Sequence, residues 1–198
     1  MTRRRDIALA GHMGDEATAR SGLSDDDPVV RATAIGALAR LDALREADLR
    51  AAVADPEPRV RGRAAEAAAA FAPAATAIDL LRVLLSDPDP TVVEVAAWAC
   101  GEVEAVDESI VATLATITTT HDDALAREAA VAALGAIGDP GGLAAILAAT
   151  TDKPAVRRRA VLALAPFEGD AVDAALERAL TDRDWQVRQA AEDLLRDD

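Results

Sequence analysis

The sequence predicts an all-α solenoid of about six short helical hairpins. Three observations carry that expectation. A motif recurs six times at a nearly constant interval. Within each copy, small and apolar residues fall four and eight positions after an anchor, which is one stripe of a helix. The composition is 51% hydrophobic but only 2% aromatic, with no Tyr. A core rich in Ala, Leu and Val suits helices packed closely, whereas a β-sandwich would call for β-branched and aromatic strands.

The anchor is an apolar residue that follows an acidic turn, in most copies one that contains Pro. Asp25-Asp26-Asp27-Pro28-Val29-Val30-Arg31 opens the first copy, Asp55-Pro56-Glu57-Pro58-Arg59-Val60-Arg61 the second and Asp87-Pro88-Asp89-Pro90-Thr91-Val92-Val93 the third. A degenerate fourth begins at His121-Asp122-Asp123, a fifth at Thr151-Asp152-Lys153-Pro154 and a sixth at Asp182-Arg183-Asp184-Trp185. The anchors stand at 30, 60, 92, 126, 156 and 187, spaced by 30, 32, 34, 30 and 31 residues. Ala34, Ala64, Ala96, Ala130, Ala160 and Ala191 lie four further on. Pro fits the first turn of a helix, with an Asp before it as N-cap. The second helix of each hairpin is therefore expected near 28–41, 58–71, 90–103, 124–137, 154–166 and 185–196. First helices fit near 15–23, 45–54, 74–85, 109–119, 141–150 and 170–180. The hairpins then occupy about 15–41, 45–71, 74–103, 109–137, 141–166 and 170–196 of a single domain. Arg3-Arg4-Arg5-Asp6-Ile7-Ala8-Leu9 is similar to Arg157-Arg158-Arg159-Ala160-Val161-Leu162-Ala163, so residues 3–10 are read as a half-repeat capping the N-terminus.

An arginine follows the anchor as Arg31, Arg61, Arg127, Arg157 and Arg188. It lies near the start of its helix, where the dipole disfavours a cation. Its recurrence there implies a fixed partner, and the acidic turns of neighbouring repeats are the candidates, giving an arginine–carboxylate ladder. Val93 occupies the slot in the third copy, so the ladder is expected to break there.

Asp-Pro-x-x-Val-Arg followed by Ala at +4 and Leu at +8 resembles the short bacterial HEAT-type repeat, as in phycobilin-lyase-like HEAT proteins. The resemblance covers nearly the whole chain and implies a right-handed α-solenoid whose second helices line a concave, partner-binding surface. The period is shorter than the ~40–47 residues of longer HEAT units. The resemblance implies no particular activity. The paired His-Glu ligands of HEAT-type di-iron hydroxylases are missing, since neither His12 nor His121 precedes Glu.

Catalytic and cofactor chemistry finds little footing. His121-Asp122-Asp123 are adjacent in sequence, whereas metal ligands converge from spaced positions, so no metal and no cofactor are expected. Cys100 falls on the apolar +8 position and reads as an inert buried thiol. Gly141-Gly142 lacks the Lys of a phosphate loop. Arg158 and Arg159 are candidates for a phosphate contact or for a solvated face. HEAT-like alkylpurine DNA glycosylases exist, but such enzymes need a basic groove with aromatic side chains. This chain has a net charge of −14. Nucleic-acid binding is therefore disfavoured, and no run approaches the ~18 apolar residues of a membrane span. No signal peptide is evident and cytoplasmic residence is expected.

Charge is unevenly distributed. Residues 83–152 contain twelve acids against Arg127 alone. Trp98 stands six past its anchor, where other copies carry Gly36, Glu66, Ala132, Leu162 and Asp193, so it is read as facing outward. Glu94 and Glu102 lie four residues to either side, with Glu66 and Glu128 expected to border them from neighbouring repeats. Trp98 packed among Ala neighbours is the alternative. The expected function is a non-catalytic scaffold that grips an Arg- or Lys-bearing protein or peptide on an acidic central surface. The alternatives are an accessory or lyase-like protein handling a chromophore or modifying group, and a HEAT-like nucleic-acid or DNA-repair protein.

Overall fold

A computed structural model describes residues 2–104 and 106–196, and every regular element among them is helical. The fold class is the all-α one expected. After α1 (Thr2–Met13), first and second helices alternate: α2 (Glu16–Ser21) with α3 (Pro28–Arg40), α4 (Glu46–Val53) with α5 (Pro58–Phe71), and α6 (Ala74–Leu84) with α7 (Pro90–Cys100). There follow α8 (Glu108–Thr120) with α9 (Ala124–Ile137), α10 (Leu143–Ala149) with α11 (Pro154–Ala163), and α12 (Asp170–Ala179) with α13 (Trp185–Leu194). A 3-10 turn, Pro140–Gly142, leads into α10.

The chain forms two compact units, Met1–Ala99 and Cys100–Asp198. In the first, α1 packs on α2 and α3, α3 on α5, and α5 on α4 and α6. In the second, α9 packs on α8, α10 and α11, while α13 packs on α11 and α12. Second helices thus stack on second helices within each unit, which is how hairpins that cannot bury an apolar face alone make a continuous core. The anchors Val30, Val60, Val92, Ala126, Val156 and Val187 are all buried, as are the six alanines at +4. In α1, Ile7 and Ala10 are buried against the first hairpin.

Helix starts follow local chemistry. Asp27, Asp123 and Asp184 accept hydrogen bonds from the backbone N–H groups of Val29, Leu125 and Gln186. Two starts differ from the Asp-cap expectation: α5 begins after Glu57 and α11 after Lys153, neither making a side-chain cap bond. The nearby Asp55 and Asp152 point their carboxylates elsewhere, as described below. Second helices α7 and α11 also end about three residues sooner than the pattern suggests. The +8 residues Cys100 and Leu164 still pack inside, and the chain turns as soon as they are placed.

Candidate functional site

The recurring arginines are built into the turns. In the first unit, Arg31 donates through Nε and Nη2 to the two carboxylate oxygens of Asp55, both at 2.8 Å. Its Nη1 donates to the carbonyls of Asp25 and Asp26 in its own turn, at 2.9 and 3.1 Å. Arg61 repeats this with Asp87, at 2.6 and 2.8 Å, and with the carbonyls of Asp55 and Pro56. In the second unit, Arg127 grips Asp152 at 2.6 and 2.8 Å, and Arg157 grips Asp182 at 2.9 and 2.8 Å. Each guanidinium therefore closes its own turn and holds the next. Two parallel charge-assisted bonds outweigh the unfavourable helix dipole.

Among the described residues, Arg188 makes only the first half of this arrangement, a 2.7 Å bond to the Asp182 carbonyl. Val93 has no guanidinium to offer. The aspartate slot one period later holds His121, whose Nδ1 accepts the Asp123 backbone N–H at 3.1 Å, the bond that Asp55 Oδ1 takes from Glu57. Both halves of that rung are thus replaced in the sequence. Arg3, absent from the expected set, reaches Asp25 at 3.3 Å and Ser21 Oγ at 3.1 Å. Its only sequence signal was the likeness of residues 3–9 to 157–163.

The rungs set carboxylate acidity. Asp152 and Asp182 lie below the usual carboxylate range, chiefly because of the hydrogen bonds from Arg127 and Arg157. At Asp55 and Asp87 burial pushes upward, but the arginine and a backbone N–H together prevail and the net direction is again down. A carboxylate depressed in the folded state stabilises the fold above its unfolded value, near 4, and loses that contribution as pH falls through the folded value. Melting followed by circular dichroism should therefore show a loss of Tm below about pH 4, shallower in an Arg61→Ala/Asp87→Ala double variant. Equal acid sensitivity in both proteins would remove the rungs as its source.

Along the second helices of the first unit runs an open groove of about 520 Å³. Small residues, Ala8, Ala32, Gly36 and Gly62, are part of its lining, and the Arg63 guanidinium lies over Gly36. Arg4, Arg40, Arg59 and Arg63 stand around it, and Thr91 and Val95 of α7 close it at one side. Trp98 follows Val95 on the same helical stripe and is 50% exposed. Glu94, one turn before Trp98, is half-buried.

The other expected acids are placed differently. Glu66 lines the groove but is ion-paired with Arg63 of its own helix. Glu128 belongs to the second unit, 3.7 Å from Arg159. Glu102 is exposed but lies beyond the end of α7, so the four-residue helical spacing from Trp98 does not apply to it. Gly101, a poor helix former, follows directly on Cys100. Cys100 is buried, and burial pushes its thiol up to about 12, which leaves no thiolate for chemistry. Among the described residues, no three His, Cys, Asp or Glu side chains are grouped to hold a metal. No described helix is long and apolar enough to cross a membrane.

Stacked helical hairpins with arginine-stapled turns define an α-helical repeat protein. A family model described as HEAT repeats matches residues 46–114 and 111–196. The chain belongs to the HEAT-repeat family. No curated protein matches it. Three crystal structures of engineered proteins from the Northeast Structural Genomics Consortium share its fold. One is 22% identical with a TM-score of 0.65, over 92% of this chain and 97% of that one. A second is 20% identical with a TM-score of 0.60, over 92% and 95%. A third is 21% identical with a TM-score of 0.57, over 96% of this chain and 59% of the other.

Proposed function

We propose that this protein is a non-catalytic interaction scaffold that receives an Arg or Lys side chain of a protein partner on Trp98, beside Glu94. The observation that carries the reading is Trp98 itself. A large aromatic side chain is half in solvent on the groove-facing stripe of α7, where the neighbouring repeat has Glu66 and the first has Gly36. An exposed indole next to a carboxylate suits a cation through combined cation–π and ionic attraction. Exposed Trp residues are also frequent hot spots of protein interfaces. HEAT-repeat surfaces serve as interaction platforms, which supports a protein as the partner. Glu66, Glu102 and Glu128 play lesser parts in this reading by their position: Glu66 lies on α5, Glu102 sits beyond the end of α7, and Glu128 belongs to the second unit.

The test uses an arginine-rich peptide titrated against the Trp185→Phe protein, so that Trp98 is the sole fluorophore of its kind. Saturable change in Trp98 emission is expected. Trp98→Ala should weaken binding by about 2 kcal/mol, roughly 30-fold, with Tm nearly unchanged. Unchanged affinity, or a large fall in Tm with unchanged affinity, would place Trp98 in a structural role and end the proposal.

A further inference from the structure

The groove of the first unit carries the opposite charge from the chain around it. The protein has 35 acidic residues against 21 basic. Yet Arg4, Arg40, Arg59 and Arg63 line the groove with one carboxylate, Glu66, which Arg63 already neutralises. Arg31 and Arg61, on the same helices α3 and α5, have their donors committed to turns. Arg4, Arg40 and Arg59 are different: each is exposed and has no hydrogen-bond or ion-pair partner among the described residues. They come from three successive stacked helices, α1, α3 and α5, and line the groove together with the small residues Ala8, Ala32 and Gly62.

We propose that this groove binds an acidic segment of a protein partner, with Arg4, Arg40 and Arg59 as receptors for its carboxylates. Arginine's planar fork suits bidentate carboxylate recognition. Complementary charge in a groove speeds encounter and fixes register. A protein segment fits better than a nucleic acid. No Phe, Tyr or Trp lines the groove for bases to stack on, its one ring being the His12 imidazole, and a chain of net charge −14 repels a long polyanion. The inference goes beyond the Trp98 reading. It uses other side chains and a ligand of opposite charge, so either proposal can fail alone.

The experiment is fluorescence anisotropy on the full chain with a labelled poly-glutamate peptide of about ten residues, at ionic strengths from about 0.02 to 0.2 M. Saturable binding that weakens with salt is expected. Arg40→Glu/Arg59→Glu should lower affinity about 30-fold at unchanged Tm, because neither side chain holds the fold together. Arg178→Glu/Arg183→Glu alters net charge equally in the second unit and should lower affinity less than about 3-fold. Four outcomes overturn the proposal: no binding of the peptide, equal losses in the two double variants, tighter binding of a thymidine oligonucleotide of similar length, or self-association abolished by Arg40→Glu/Arg59→Glu. The third would assign the groove to nucleic acid and the fourth to a second copy of this chain.

Discussion

Arg61→Ala is expected to destabilise the protein by about 3 kcal/mol, as measured by urea or thermal unfolding. Four hydrogen bonds disappear together: two to Asp87 and two to the carbonyls of Asp55 and Pro56. The Asp87 side chain is only 5% exposed. Without Arg61 it keeps the Asp89 N–H at 2.9 Å but stands in a nearly closed site as an uncompensated charge. Leaving one member of a buried pair costs more than the pair contributes. Arg61→Lys should recover less than half of the loss, since an ammonium cannot reproduce the fork that reaches two carboxylate oxygens and two carbonyls. Arg188→Ala is the internal comparison. Its guanidinium holds the Asp182 carbonyl alone among these partners, so a cost of about 1 kcal/mol is expected. If Arg61→Ala unfolded with the same midpoint as the wild type, the rungs would be surface decoration.

Gly135→Ala is expected to cost about 2 kcal/mol, although alanine is the better helix former by about 1 kcal/mol. Helices α9 and α11 approach so closely that a Cβ at Gly135 would lie 2.6 Å from Cβ and 2.7 Å from Cα of Ala163. The second of these is backbone, so relief requires the two helices to separate along their contact. Gly62→Ala isolates the propensity term. A Cβ at Gly62 meets nothing within 4 Å, and this variant should gain up to about 1 kcal/mol. Opposite signs for two Gly→Ala changes, both in second helices, are the expected result. Two changes of the same sign would mean that close packing of α9 on α11 does not limit stability.

The helical framework was legible in the sequence because its signals are local. Pro28, Pro58, Pro90 and Pro154 each stand at the first position of a helix, and the alanines at +4 with the first five residues at +8 mark the buried face, whereas Leu195, eight past the last anchor, lies beyond the end of α13 and is exposed. Such signals depend on residues within two turns of one another. The N-caps were less legible. At Asp55 and Asp152 the acid looked like a cap, but its carboxylate is taken by an arginine 24 or 25 residues earlier. The surface acids show the same limit. Sequence spacing places Glu66 and Glu128 on suitable faces, but whether a carboxylate is available depends on which arginine reaches it. Arg63 lies three residues before Glu66, whereas Arg159 comes from the next hairpin to Glu128.

By itself, then, the sequence determined the class of fold, the number of hairpins, the buried stripe of each second helix and the recurrence of an arginine near the start of five of them. These follow from helix periodicity and first-turn chemistry, which act over a few residues. Only the tertiary structure decided that each arginine from Arg31 to Arg157 holds the following turn, that Arg3 adds an exposed contact of the same sense, and that Arg4, Arg40 and Arg59 converge on one groove in an acidic chain. Charge counted along the sequence averages over neighbours in the chain. Stacking brings together side chains more than fifty residues apart and packs away or pairs the intervening ones, so the sign of a surface is settled by which helices touch.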